Sequence, residues 1–199
     1  RLQAENIDVR GIATSTQLST GTALIAVSAT NNQIIVVPGA NSTVDEVELE
    51  SLMPYLEQAR VLLLQFEIPI ATVEKAAALS HTAGLTVIVD PAPAKGPLAA
   101  DVCSYISILT PTQTEAATLT GQPVDDIDTV AAGDAFNGGL AAALCEVNRV
   151  PGEPLSTEVL REAINYAMAV AAIAVTRQGA QTAMPTAKEV EEFFRMQRS

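Results

Sequence analysis

The chain has 199 residues, with 11 basic against 23 acidic side chains and a formal net charge of −12. Since 48% of the residues are hydrophobic and 17% are charged, the composition excludes a disordered chain and allows one domain with a buried core. A charge this negative repels phosphate backbones and anionic lipid head groups, so we expect no nucleic-acid and no membrane partner. A phosphate-bearing ligand needs positive potential at the place where it binds.

The sequence offers few residues for metal or nucleophilic chemistry. Its two cysteines, Cys103 and Cys145, are far apart, and His81 is its single histidine. This excludes most Cys/His and Ser/His/Asp catalytic schemes. We expect both cysteines to be small buried hydrophobic residues of a reduced, cytoplasmic protein, and the apolar runs are too short to span a bilayer. The opening residues RLQAE show no Met and no leader pattern, which we interpret as the middle of a longer polypeptide.

The first predicted elements form a β-hairpin. Apolar strands over 22–29 and 33–37 flank Asn31 and Asn32, two residues that tolerate positive φ in a turn. Residues 38–41 (PGAN) then end the pattern.

Helices and apolar strands alternate in the next part of the chain. Pro69 suits a helix start, and Gly84 and Gly121 suit helix ends. We expect helices over 43–59, 71–83 and 112–120, strands over 61–66, 85–89 and 105–109, and then three helices over 132–145, 157–176 and 187–197.

Continuous apolar strands between helices indicate a parallel sheet covered on both faces, so the predicted fold class is α/β with a doubly wound sheet. Ligands bind such sheets outside the carboxyl ends of the strands. The loops that should carry the site are therefore 67–69, 90–94 and 110–115.

The segment 128–139 (DTVAAGDAFNGG) brings small residues to the start of a predicted helix. Free N–H groups at a helix N-terminus bind anions, and Ala131, Ala132 and Gly133 leave them unobstructed. Two readings of Asp134 are open on spacing alone: it caps its own helix, or it is a base beside an anion site that activates an attacking hydroxyl. Neither a Walker A pattern nor Gly-x-Gly-x-x-Gly is present.

This segment closely resembles the C-terminal signature of the ribokinase or PfkB family of carbohydrate kinases. Further similar segments follow the family order over essentially the whole chain: GTALIAV, VVPGAN, LLLQFEIP, VDPAPA, ILTPTQTEAATLTG and AVTRQGAQTAM. The resemblance implies an incomplete ribokinase-like α/β fold, with a lid hairpin over 18–38 and the main domain over 1–17 and 39–199. Its ribokinase branch is the most similar, which implies phosphoryl transfer from ATP to O-5 of D-ribose.

The resemblance also implies roles for individual residues. Asp134 would be the catalytic base, with Ala131, Ala132 and Gly133 as the anion hole. Glu67 would bind sugar hydroxyls together with Asp134, although a solvated strand-end carboxylate explains Glu67 equally well on position. Thr112, Gly133, Asp134 and Met168 would contact ATP, but Met168 is also typical of an apolar wall, and Thr112 stands where the family has Asn.

Two cation sites are implied as well. Glu115 would hold Mg²⁺ through water, while Thr112-x-x-Glu115 is also the pattern of a helix capping box. The resemblance implies a K⁺-type monovalent-cation site, in which a family hydroxyl is replaced by Ala183; its ligands would be Asp128, Val130, Ala174, Arg177, Gly179 and Ala183.

The chain departs from the family in two places. The sugar-binding Asn-x-Asp and Gly-Gly segments should precede Arg1, and only six residues, 122–127, replace a family block that covers the nucleotide. Three explanations are open: the gene is shortened, the protein is a degenerate product, or the residue numbers run on across a segment that was not observed. The last explanation requires a peptide C–N bond within 122–128 far longer than about 1.33 Å.

Three functions follow: a ribokinase, another sugar or nucleoside kinase of the family, or a truncated non-catalytic remnant. The hairpin resembles a family lid that pairs with a partner's lid, so a homodimer is expected unless the hairpin lies on its own domain.

Overall fold

A computed structural model describes residues 2–27, 32–121, 132–147, 150–177 and 179–197. Its main sheet contains three parallel strands in the order β3 (Val61–Gln65), β4 (Thr86–Asp90) and β5 (Ile108–Leu109). All five residues of β4 are buried, as expected for the central strand of a sheet covered on both faces. The predicted α/β class is confirmed.

Helices cover both faces of this sheet. The first layer consists of α1 (Glu46–Leu56) and α2 (Ile70–Thr82), whose apolar side chains pack with Leu64, Val87 and Val89. The second consists of α5 (Ala132–Glu146) and α6 (Thr157–Ala174), which enclose Ile88. Helix α7 (Ala187–Gln197) packs on α6. Helices therefore cover β4 on both faces, as in a doubly wound sheet.

The third strand is shorter than predicted. A short helix, α3 (Ala100–Cys103), precedes it and was not predicted. The backbone N–H groups of Tyr105 and Ile106 donate to the carbonyls of Val102 and Cys103 in the turn that closes this helix. Because those donors are used there, Tyr105 and Ile106 cannot join the ladder, and the prediction of a strand over 105–109 is wrong for its first three residues.

The hairpin forms with a register that differs from the prediction at its turn. Strands β1 (Thr22–Val27) and β2 (Asn32–Val37) pair antiparallel, with Val27 opposite Asn32. Asn32 therefore belongs to the strand rather than to the predicted turn, because it is the pairing partner of Val27. Asn31 and the predicted strand residues 28–29 lie outside the described residues.

The apolar side chains of the hairpin are exposed on both of its faces. Leu24 and Ile35 lie opposite each other on one face and are 68% and 62% exposed, and Ile25 and Ile34 on the other face are each 50% exposed. In the described part of the chain, neither face of the hairpin is therefore covered by the hairpin's own domain, contrary to the alternative given above.

Helix termini follow local capping chemistry. Asp45 caps α1 by accepting from the Val47 N–H at 2.8 Å, so this helix begins later than the predicted residue 43. Helix α4 (Gln113–Thr120) ends at Gly121, whose φ of +70° gives the left-handed C-cap that the sequence predicted.

The prediction that both cysteines are buried is wrong, although both are free thiols. Cys103 ends α3 and Cys145 lies in the last turn of α5, and both thiols are exposed because these helix ends face solvent. In the described part of the chain, no helix combines the length and apolar character needed to cross a membrane.

Candidate functional site

Backbone hydrogen bonds join the residues that follow β3 and β5 to the carboxyl end of β4. The Phe66 N–H, just after β3, donates to the Ala92 carbonyl at 3.0 Å, and the Thr110 N–H, just after β5, donates to the Val89 carbonyl at 3.0 Å. The three predicted site loops therefore do meet at the carboxyl ends of the strands.

Asp90, the last residue of β4, is the buried charged group at this edge. Burial, with smaller contributions from the negative charges of Glu115 and Asp134, raises the pKa of its carboxyl group to about 6. Hydrogen bonds from the Ala92 N–H and the Asn137 side chain oppose the shift. The carboxylates of Glu115 on α4 and Asp134 on α5 thus interact electrostatically with that of Asp90 on β4.

Asn137 and Gly133 connect α5 to Asp90. The Asn137 Nδ2 donates to Asp90 Oδ2 at 2.9 Å, and both residues are buried. A Cβ placed on Gly133 would be 3.9 Å from that same Oδ2, so the first turn of α5 lies directly against the strand end.

Asp134 is the third residue of α5 and is exposed. The alternative in which Asp134 is the N-cap residue is wrong, because Ala132 and Gly133 already belong to the helix. N–H groups in the first turn have no acceptor within the helix and carry its positive dipole end. Ala132 and Gly133 contribute to this turn, whereas Ala131 lies outside the described residues.

Thr112 and Glu115 form the capping box of α4. The Thr112 N–H donates to Glu115 Oε2 at 2.7 Å, and the Glu115 N–H donates to Thr112 Oγ1 at 3.3 Å. The capping alternative for these residues is confirmed, and it fixes the Glu115 carboxylate at the edge where its charge reaches Asp90.

A cavity of about 550 Å³ lies between β5, α5 and α6. Its wall is mainly apolar, including Phe136, Leu140 and Ile164. It brings together three of the residues predicted to bind ATP, namely Thr112, Gly133 and Met168, and Asn137 also lines it. Met168 is 57% exposed, so it is an accessible apolar wall rather than part of the core.

A second groove, of about 480 Å³, lies between the base of the hairpin and the loop after β3. Glu67, Glu74 and Lys95 supply its charged groups, and Pro38 and Ser42 line its hairpin side. Glu67 is exposed two residues beyond β3, in the position that a ligand between hairpin and sheet would reach.

The residues predicted to hold a monovalent cation are described only in part. Ala174 ends α6, and its carbonyl accepts from the Arg177 N–H at 3.1 Å; Arg177 and Gly179 follow, and Ala183 is buried. Asp128 and Val130 lie outside the described residues, as do the peptide bonds of 122–128, so this set stays a prediction. Within the described ranges, no three His, Cys, Asp or Glu side chains are grouped so that they could hold a metal ion.

Sequence reasoning missed Asp90 and Asn137 as individual site residues. Asp90 ends an apolar run inside a loop already expected to carry the site, and a carboxylate directly after a buried strand was the available signal. Asn137 stands within the 128–139 segment at helical spacing from Gly133 and Asp134.

A parallel sheet with carboxylates at its strand ends, facing a glycine-containing helix N-terminus, is an arrangement that can bind the phosphate groups of a ligand. The profile of the pfkB family carbohydrate kinases matches residues 1–128 and 122–187. The chain belongs to this family, and it is an ATP-dependent phosphotransferase of the sugar-kinase type.

Relatives and solved structures agree with this assignment. Ribokinase from Haemophilus influenzae is 34% identical over 96% of this chain and 74% of its own length. The crystal structure of ribokinase from Thermotoga maritima is 31% identical, with a TM-score of 0.71 over 89% of this chain and 70% of that one. Arabidopsis thaliana ribokinase complexed with ribose and ATP is 25% identical, with a TM-score of 0.68 over 88% of this chain and 69% of that one.

The comparisons also bear on the two predicted gaps. The alignment with the Haemophilus influenzae protein has 237 positions, although this chain has 199 residues, so the relative contains segments between matched parts that this chain lacks. The family profile matches in two pieces that overlap at 122–128, where the sequence predicted the internal loss. The chain is therefore partial relative to these kinases.

Proposed function

We propose that this chain is a ribose kinase that transfers the γ-phosphoryl group of ATP to O-5 of D-ribose. The observation that carries this proposal is the placement of Asp134 in the exposed first turn of α5, where its charge and that of Glu115 both act on the buried carboxylate of Asp90. In that place Asp134 accepts the proton of the attacking sugar hydroxyl.

The charge that develops on the transferred group is stabilised by the helix terminus. The N–H groups of Ala132 and Gly133, together with that of Ala131, would face the phosphoryl oxygens and form the anion hole. This provides local positive potential in a chain whose net charge is −12.

The residues present fit a magnesium ion bound through water. Asp90 and Glu115 would supply oxygen ligands, and a cation would offset both the burial of the Asp90 carboxylate and its repulsion by Glu115, the two largest causes of its raised pKa. Mg²⁺ usually keeps several waters and is held by one or two carboxylates together with substrate phosphates, so Asp90 and Glu115 would suffice as its protein ligands. When bound with ATP, the ion neutralises phosphate charge.

ATP is assigned to the cavity of Thr112, Gly133 and Met168, because this cavity adjoins the first turn of α5. The Arabidopsis thaliana structure with ribose and ATP supports this pair of substrates. Thr112 has a hydroxyl group where the family has an amide. This hydroxyl oxygen accepts one hydrogen bond from the Glu115 N–H, and its second lone pair can accept another. A K⁺ site formed by residues 128, 130, 174, 177, 179 and 183 remains part of the proposal, with Ala183 supplying only backbone groups.

The sugar is assigned to the groove at Glu67, with residues 18–38 as its lid. Glu67 lines this groove beside Pro38, at the base of the hairpin. One apolar face of the hairpin would cover the sugar, and we assign the other face to the hairpin of a second copy, since an exposed two-stranded hairpin needs a surface to pack on.

A sugar panel tests this function directly. ADP release from MgATP by the purified chain would be measured with D-ribose, 2-deoxyribose, fructose and adenosine. The proposal requires the highest kcat/KM with D-ribose. Preference for fructose or adenosine would assign another kinase of the family, and no sugar-dependent ADP release would make the chain a non-catalytic remnant.

Glu67→Gln should raise the KM for D-ribose about tenfold or more, because a charge-assisted hydrogen bond to a sugar hydroxyl contributes about 1.5–3 kcal/mol. The KM for ATP should stay unchanged, since ATP lies in the other cavity. Glu57→Gln, at an exposed carboxylate that lines neither the sugar groove nor the ATP cavity, is the control and should change neither constant. Equal effects of the two variants would contradict the assignment of Glu67 to the sugar.

A further inference from the structure

Asn137 makes a buried polar connection between the catalytic helix and the end of the central strand. It lies three residues after Asp134 and four after Gly133, so all three share one side of α5. Its Nδ2 donates to Asp90 Oδ2 at 2.9 Å, and the two residues are 4% and 8% exposed. The first turn of α5 is thereby fixed against the strand end from which Asp90 projects.

The orientation of this amide follows from its partner. An ionised carboxylate only accepts hydrogen bonds, so the NH₂ group of Asn137 must face Asp90 and the Oδ1 atom must face away. This Oδ1 is buried and has no hydrogen-bond partner in the described ranges of the chain. Asn137 also lines the cavity that contains Thr112 and Met168.

An unpartnered buried acceptor costs about 1–3 kcal/mol, so a donor within this cavity would offset a real cost. An apolar side chain of similar size would avoid that cost, and the neighbouring wall residues Phe136 and Leu140 are apolar. The hydrogen bond to Asp90 accounts for the NH₂ group of Asn137, and a donor from a ligand or water in the cavity would account for its oxygen.

We propose that Asn137 is a positioning residue for phosphoryl transfer. Its NH₂ group holds Asp90 towards the space shared with Glu115 and Asp134, and its free oxygen accepts a hydrogen bond from an ordered water that enters the cavity with MgATP. This inference rests on the proposed function, since it assigns MgATP to the same cavity.

The decisive test compares Asn137→Leu with the exchanged pair Asp90→Asn, Asn137→Asp. Calorimetric affinities for MgATP and for ATP in EDTA, thermal midpoints, and kcat and KM for D-ribose would be measured on the full chain. Loss of a residue that orients such a group typically costs about 10–100-fold in affinity or activity. We expect Asn137→Leu to lose that much in MgATP affinity and in kcat, with the ATP affinity in EDTA and the KM for ribose unchanged.

The exchanged pair separates positioning from mere structure. It can remake the hydrogen bond with donor and acceptor reversed, so its thermal midpoint should return to that of the unaltered chain. Its MgATP affinity and kcat should stay low, because the negative charge has moved from the strand end to the helix. Gly138→Ala, at an exposed neighbouring position, should leave the MgATP affinity, kcat and KM unchanged.

Three results would overturn the inference: MgATP affinity of Asn137→Leu within twofold of the unaltered chain, recovery of MgATP affinity in the exchanged pair, or no MgATP binding by the unaltered chain. If Asn137→Leu does not fold, the exchanged pair alone decides. A chain that binds MgATP but phosphorylates no sugar would refute the proposed function, while these affinities would still decide the role of Asn137.

Discussion

Asp134→Asn is expected to lower ribose-dependent turnover by a factor of about 10²–10⁴, the usual contribution of a positioned general base. Asparagine keeps the size of the side chain but cannot accept the hydroxyl proton. Asp134 is exposed in the first turn of α5, so the thermal midpoint should change little. Steady-state ADP release at saturating MgATP and ribose measures the effect.

Glu146→Gln is the matched control for this experiment, because Glu146 is an exposed carboxylate at the opposite end of the same helix. It should retain the turnover of the unaltered chain. Turnover of Asp134→Asn within a few-fold of the unaltered chain would contradict the assignment of the base. If Asp134→Asn leaves every property untouched in a chain without turnover, the non-catalytic alternative holds.

Gly139→Ala is expected to destabilise the fold by about 1–3 kcal/mol, the usual cost of overpacking. A Cβ at this position would lie 3.0 Å from the Val170 Cβ and 3.1 Å from the Ala167 Cα, at the crossing of α5 and α6. The Ala167 atom belongs to the backbone, so the two helices would have to separate. Urea unfolding, with its midpoint and slope, measures the change.

Gly138→Ala provides the control for this prediction. It is the adjacent residue of the same helix, and a Cβ there meets no atom within 4 Å in the described part of the chain. The gain in helix propensity, about 0.5–1 kcal/mol, is the same at both positions and should appear undiminished at residue 138. Equal stabilities of the two variants would show that the α5–α6 crossing tolerates the extra carbon.

A separation of α5 from α6 should also affect function under the proposed assignments. Asp134 lies on α5 and Met168 on α6, and the ATP cavity lies between these helices. Gly139→Ala should therefore raise the KM for ATP even under conditions where the chain remains folded, whereas Gly138→Ala should not.

The alternating helices and strands were predictable because each has a strong local signal. The helix over Ala187–Gln197 has the predicted bounds, and Gly121 ends α4 in the left-handed conformation that glycine favours. The centre of β4 is an unbroken apolar run over 87–89, and both faces of the strand are covered, so this run gives a clear strand signal.

Errors arose where tertiary contacts or neighbouring turns decide the backbone. Tyr105 and Ile106 have strand-like side chains, yet their N–H groups close the turn after α3. Asn32 resembles a turn residue, yet its pairing with Val27 places it in a strand. Cysteine is among the residue types most often buried, but the helix ends that carry Cys103 and Cys145 face solvent.

In the candidate site, too, features with a local signal were predictable and those set by tertiary contacts were not. The strand-end loops and the helix N-terminus could be located from sequence, since the topology brings the carboxyl ends of parallel strands together. The Asn137–Asp90 contact joins residues 47 positions apart, and no local pattern predicts such a pair. The resemblance supplied the role expected of Asp134, but the packing of Gly133 against Asp90 required the structure.

The phosphorus-31 NMR spectrum of the reaction products tests the central claim most directly. The purified chain would be incubated with MgATP and D-ribose, and the phosphorus signals followed with and without proton decoupling. We predict a new phosphomonoester signal, split by the two methylene protons at C-5, that grows in equal amount with ADP. Formation of inorganic phosphate without a monoester, or an unchanged spectrum, would contradict the assignment of this chain as a ribose kinase.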